Sequence, residues 1–259
     1  MSRFDATWAL VWREWVRILR QPARIVATVG TPAVLLIALG AGFAGSITGL
    51  MGVDDTRAYS AFLLPGMISM AALFASIFGS MSLIEDRDSG LLRVIMAGPA
   101  PDGSIVLAKL IGIAVPAIVQ AGILLPACLV LGVDVSPIGF VLGLLALAML
   151  SIGIAGLSLT LAWRVKSSQE FHAIMNTVLM PLWLLSGAFY PAADASSPMR
   201  WLTTVNPLSW PTEAMRVSLS GEHSQLLGSY VWPLTLVFCV GGVLLATATI
   251  RQRNKGKST

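Results

Sequence analysis

Charge is what this chain has least of. Seventeen basic and 13 acidic side chains make up only 12% of its 259 residues. A soluble domain of this length shows about twice that share on its surface, so a water-bathed globule is excluded. Cysteine is nearly absent as well. Cys128 and Cys239 both fall inside apolar runs, where they read as small buried side chains and not as a disulfide framework or a metal pair. The two histidines, His172 and His223, are predicted on opposite sides of a membrane, so no paired-histidine metal site is expected. No carboxylate lies deep within any apolar run, which argues against proton-driven transport. No cleavable signal peptide is expected either, because no small-residue cleavage site precedes the first long apolar run.

What remains is apolar: 56% of the residues, with a mean hydropathy of +0.79. A span needs about 20 largely apolar residues to cross the hydrocarbon. Six stretches are predicted to do so: 25–47, 60–84, 104–131, 138–163, 171–190 and 228–250. Pro32, Pro116, Pro126 and Pro181 inside them imply kinks or local unwinding. The expectation is an all-α polytopic membrane protein, a single domain over 1–259.

Basic residues orient it. Arg3, Arg13, Arg17, Arg20 and Arg24 precede the first span. Arg87, Arg93 and Lys109 flank the second connection, Arg164 and Lys166 the fourth, and Arg251, Arg253, Lys255 and Lys257 follow the last. Only Arg57, Arg200 and Arg216 lie on the other side. By the positive-inside rule both termini are cytoplasmic. The basic balance therefore reports topology and lipid contact, not nucleic-acid binding.

Residues 3–20 repeat apolar groups at helical spacing (Phe4, Trp8, Val11, Trp12, Trp15, Leu19), with arginines on another face. That pattern predicts a helix lying in the headgroup plane, tryptophans in the interface and arginines on anionic lipid. Between spans two and three, EDRDSGLLRVIMAGPAP (85–101) joins four charges to a short apolar stretch and two prolines. Too small for a domain, it suits contact with a soluble partner. The outer stretch 191–216 consists of apolar pieces too short to cross, read as re-entrant or interfacial helices.

Several patterns carry less. Gly256–Lys257–Ser258–Thr259 imitates the end of a phosphate-binding loop, but Arg251 stands where that loop needs its first glycine. Ser158 and His172 raise the alternative of an intramembrane lipid- or peptide-processing enzyme, against which the GLSL context weighs. Small-residue spacings at Gly45–Gly49 and Gly139–Gly143, with Gly153 and Gly156, permit close helix approach within one subunit or between two. Gln120, His172 and Asn176 are polar groups inside spans, suited to contacts between helices or to cargo.

Two stretches resemble the ABC-2 type permeases of ATP-driven exporters. The first supplies Glu85, Asp86, Arg87, Gly90, Leu91, Leu92, Arg93, Pro99 and, farther on, Lys109. The second supplies Pro181, Ser186, Gly187, Phe189, Pro191, Asn206, Pro207, Glu213 and Arg216. The opening REWVRILRQPARIVATVGTP is also similar, and the likeness leans toward the daunorubicin-resistance and nodulation lipo-oligosaccharide branch. Asp88-Ser89 before Gly90, and Leu91 where that family often has threonine, depart from its pattern.

The resemblance implies a permease subunit, itself no enzyme, in the cell inner membrane. It would pair with itself or a close relative, sit among membrane lipids and be driven by two copies of a separate ATPase. ATP and Mg would be bound by that partner, with no cofactor in this chain. Residues 3–20 would be an elbow helix, 85–101 the coupling helix and 191–216 a gate-side pair. The cargo would be amphipathic, drug-like or lipid-linked. A scaffold or channel subunit without an ATPase is the remaining alternative.

Overall fold

The computed structural model describes residues 3–51, 56–97, 102–192 and 195–255, and among them every regular element is helical. Helix α1 (Arg3–Leu19) ends at Gln21-Pro22, where proline cannot extend the ladder and instead starts α2 (Pro22–Met51). Helix α3 (Thr56–Asp88) is followed by a short α4 (Leu91–Ala97). Helix α5 (Asp102–Gly122) breaks at a turn over 123–126, and Pro126 opens α6 (Ala127–Val130). The expected third span is thus one path with an interruption. Ser136 caps α7 (Pro137–Arg164), its hydroxyl accepting the Gly139 N–H at 3.0 Å. Helices α8 (Ser168–Ile174) and α9 (Met180–Leu184) follow, then α10 (Ser197–Val205), α11 (Ser209–Ser220) and α12 (Val231–Lys255).

Five helical stretches are long and apolar enough to cross a membrane: Pro22–Gly40, Tyr59–Asp88, Gly103–Val130, Pro137–Arg164 and Gly228–Ile250. The expected 171–190 span has a different form. Helices α8 and α9 are joined by a π turn, Met175–Leu179, just before Pro181. Proline has no N–H to offer the preceding turn, and a widened turn absorbs that mismatch.

Helix α3 is the axis of the bundle. Its most apolar window is 78% buried, against 22% for α2. Leu63, Leu64, Met67, Ile68, Leu73, Leu83 and Ile84 on α3 meet Ile113 on α5 and Leu147 and Leu150 on α7 in one core. Two of the small-residue patterns resolve into contacts within the chain. A methyl group on Gly156 would collide with the Gly242 backbone, and one on Gly242 with the Gly153 backbone, so α7 and α12 touch main chain to main chain. Gly139 and Gly143 similarly admit Ser218 and Leu219 of α11.

Candidate functional site

Two clusters occupy opposite ends of α3. The first forms where α1 crosses the ends of α3 and α5. The α1 side chains that turn inward are Val11 and Glu14, while Trp8, Trp12 and Leu19 stay exposed. Gly112 leaves room for this crossing, because a side chain there would press on Glu14 at 2.9 Å. Lys109, one helical turn from Gly112, then donates to Glu14 Oε1 at 2.8 Å, to Asp86 Oδ2 at 2.6 Å and to Ser82 Oγ at 3.2 Å. Arg13 donates to Glu14 at 2.6 Å and also to Asp86, and Arg17 reaches Asp86 Oδ1 at 2.9 Å. Glu85 lies 3.8 Å from Arg17 at the rim. Three cations thus face three carboxylates, with Asp86 at the centre and wholly buried.

Desolvation alone would raise the Glu14 carboxyl. The Lys109 ammonium and the Arg13 hydrogen bond outweigh it and hold Glu14 below its ordinary value. Such a network contributes little net stability over an apolar equivalent, but losing one member strands the others, so it fixes geometry above all.

This arrangement redistributes the residues expected from sequence. Asp86 and Lys109 are spent internally, and Glu85, Arg87 and Asp88 form the partly exposed end of α3. Gly90, at φ +76°, turns the chain in the left-handed region that glycine adopts without penalty. Beyond it Leu92 anchors α4 inward, while Leu91, Arg93 and Val94 are exposed, Val94 at 68%. Pro99 lies outside the described residues, as does the Gly256–Thr259 segment. Arg13 and Arg17, expected on lipid headgroups, are drawn into the network instead. Sequence reasoning missed Glu14 as their partner; its signal was one acid sharing the inward face with Val11.

The second cluster gathers the 181–216 residues. Trp183 Nε1 donates to the Gly66 carbonyl of α3 at 3.0 Å, and its ring meets Phe189 edge-on at 4.9 Å. Ser186 Oγ donates to the Trp183 carbonyl at 2.6 Å. Gly187, at φ +76°, turns its carbonyl toward Arg216 Nη2, which donates to it at 2.9 Å. Arg216 also pairs with Glu213 at 2.6 Å and lies over the Phe62 ring, 4.2 Å from its centre. Asn206 Nδ2 donates to the Leu182 carbonyl at 2.6 Å while its Oδ1 accepts the Leu208 N–H at 3.0 Å, and Pro207 lies in the turn so formed. Pro191 borders a cavity of about 220 Å³ beside Arg216 and Glu213. A second cavity of about 300 Å³ lies against Phe62, Cys128 and Arg216. Pro181 is exposed beneath this cluster, one turn beyond the π segment.

The three intramembrane polar residues do not gather into a single site. Asn176 is exposed, His172 meets the Phe78 and Phe171 rings, and Gln120 is buried on α5. Ser158 is buried with its hydroxyl unpartnered and His172 packs on rings, so they form no nucleophile–base pair. Among the described residues no cluster of three or more metal-ligating side chains occurs.

A helical bundle with five stretches able to cross a membrane, a short helix held out at one end and a hydrogen-bonded cluster at the other defines a polytopic membrane protein. The family model of ABC-2 type transporters matches residues 5–220, and the chain belongs to that family. It is 26% identical to nodulation protein J of Rhizobium meliloti (strain 1021) over 260 residues, covering 95% of this chain and 93% of the relative. It is also 26% identical to the transport permease ycf38 of Cyanophora paradoxa, covering 87% and 78%. With YbhR of Escherichia coli (strain K12), a permease whose name assigns it to multidrug transport, it shares 27% identity over 191 residues, covering 71% of this chain and half of the relative. The chain is a membrane permease subunit of an ABC transporter, without ATPase activity of its own.

Proposed function

We propose that this chain is the membrane half of an exporter that moves an amphipathic, drug-like or lipid-linked molecule out of the inner leaflet, powered by ATPase subunits bound beneath α4. Two copies of the permease, or one with a close relative, would pair in the cell inner membrane over two ATPases. The α1 end faces the cytoplasm in this reading, as the basic residues argue, and the α8–α9 path is the fifth of six spans of a single domain over 1–259. ATP and Mg belong to the partner.

The observation that carries this reading is the contrast within α4. Leu92 is buried, while Leu91 and Val94 are held in solvent beside the charged end of α3. An apolar surface displayed on a rigid base, rimmed by Glu85, Arg87 and Arg93, suits a groove on a soluble protein. Motion imparted to α4 passes through Leu92 and the α3 terminus into the charge network. From there α1, α3 and α5 move together, because Asp86 of α3 is bonded to both α1 and α5.

The test is co-purification of the tagged chain with an ATP-hydrolysing protein from its native membrane. Val94→Asp is expected to leave insertion intact and abolish that capture, since it places a charge where the groove is apolar. Gly90→Pro is expected to reduce it strongly, as proline cannot adopt φ +76° and lacks the N–H that Gly90 gives to the Arg87 carbonyl. Capture unchanged in both variants would remove α4 from the contact. Absence of any ATPase in the wild-type preparation would leave the scaffold reading.

A further inference from the structure

At the corner where α1 gives way to α2, a small notch opens between α2, α3 and α5, with Gln120, Arg24 and Thr28 in its lining. Gln120 reaches it from α5. This residue is only 8% exposed, and among the described residues its carboxamide has no hydrogen-bond partner. Arg24 reaches it from the first turn of α2. Its guanidinium donates to Gln21 Oε1 at 2.7 Å and lies 5.1 Å from the centre of the Phe78 ring. Unlike Arg13, Arg17 and Arg216, it has no carboxylate within ion-pairing distance among the described residues. The α2 terminus adds the positive end of its peptide dipoles, and Glu85 attracts the cation only from beyond ion-pairing distance.

A guanidinium without a directly paired carboxylate, a carboxamide with no partner and a helix N-terminus all favour one kind of ligand atom, an anionic oxygen. A water would satisfy Gln120 and leave Arg24 without a directly paired anion. Size narrows the choice further. The notch has a volume of about 10 Å³ and admits a single oxygen-sized atom, so a whole phosphate ion does not fit. The rest of any ligand must remain outside, and the α2 residues that follow Arg24 and Ile25, Val26 and Ala27, are exposed and apolar.

We propose that this notch binds one phosphate or carboxylate oxygen of an amphipathic molecule whose apolar part lies along α2 in the leaflet on the α1 side. Arg24 supplies the charge, Gln120 the directed hydrogen bond and Phe78 the wall that keeps the guanidinium in place. The proposal rests on the permease reading only in placing α2 in a bilayer, and it narrows the cargo class to acidic amphipaths.

The test is thermal unfolding of the purified full-length chain in a neutral detergent with three probes: dihexanoyl phosphatidic acid, dihexanoyl phosphatidylcholine and inorganic phosphate. At about 100-fold excess over Kd the phosphatidic acid is expected to raise Tm by about 5 °C or more in the wild type. Arg24→Lys should keep much of that shift, Gln120→Leu should lose about half, and Arg24→Gln should lose nearly all. Neither phosphatidylcholine nor phosphate alone should reproduce it. Equal shifts in wild type and Arg24→Gln would overturn the site. A matching effect of phosphatidylcholine, whose phosphate is offset by its own choline, would mean no selection for net negative charge, and one of inorganic phosphate would mean a free-ion site; either overturns the proposal. Should Arg24→Gln not fold, Gln120→Leu carries the comparison, and an undiminished shift there overturns it as well. No ATPase is needed, so a failure here leaves the permease reading standing, and a failed co-purification leaves this result untouched.

Discussion

The two ends of α3 are held by different physics. At the α4 end, a buried lysine from α5 and two half-buried arginines from α1 converge on one carboxylate of α3, Asp86. At the α10 end one ion pair, Arg216–Glu213, whose arginine also donates to the Gly187 carbonyl, is embedded among neutral bonds that end mostly on backbone carbonyls of Leu182, Trp183 and Gly66. A charge network in low dielectric is all-or-none, because each member depends on the rest to offset its desolvation. Neutral bonds of about 1 kcal/mol each can be exchanged singly. The first end is therefore built to move as one body, and the second to rearrange bond by bond.

Removing the central carboxylate is the sharpest way to break this contrast. Asp86→Ala leaves Lys109, Arg13 and Arg17 to share Glu14 and the rim residue Glu85, and is expected to cost about 3–5 kcal/mol, read as a loss of thermal stability in detergent. Restoring balance with Lys109→Met in the same chain should recover part of that loss. No recovery would mean that the ions are not energetically coupled. Arg216→Gln at the other end should cost less, about 2 kcal/mol, since the Gly187 carbonyl keeps a donor within reach while Glu213 loses its partner but retains Ser224 Oγ. Asn206→Ala removes the bonds to Leu182 and Leu208 and should cost about 1–2 kcal/mol; a loss matching that of Asp86→Ala would erase the distinction between the ends.

Acidification gives the smallest effect. The folded chain holds Glu14 below its ordinary 4.5, so that part of the stability is fully present above pH 4.5 and is lost as pH falls through the depressed value. Melting temperatures between pH 7 and 3 should show this loss only below about 4.5, and Glu14→Gln should flatten the curve there.

Much of the fold was legible because hydropathy and helix period are local properties. The apolar runs and the helical period of α1 follow from neighbours within a turn or two, whereas the expected single helix over 85–101 is split, its first four residues ending α3 and Leu91–Ala97 forming α4. The segmented form of the 171–190 path was signalled by Pro181, although a π turn is one of several ways to absorb a proline. The clusters were legible only as residue types. Glu85, Asp86 and Lys109 stood out as charges beside apolar runs, but which of them face inward depends on Gly112 admitting α1, a contact between segments about 100 positions apart. The same holds for Arg216, whose carbonyl partner at Gly187 is set by a left-handed turn that a glycine permits without revealing where the oxygen will point.

The main-chain contact between α7 and α12 has its own consequence. With Gly156 against Gly242 there is no side chain between the two backbones, hence no rotamer to cushion a displacement. Those two rods can only travel as a welded pair, like the fixed frame of a door. Whatever swings during a working cycle must hang elsewhere, on the thinly covered α2 and the jointed α8–α9 path across the molecule.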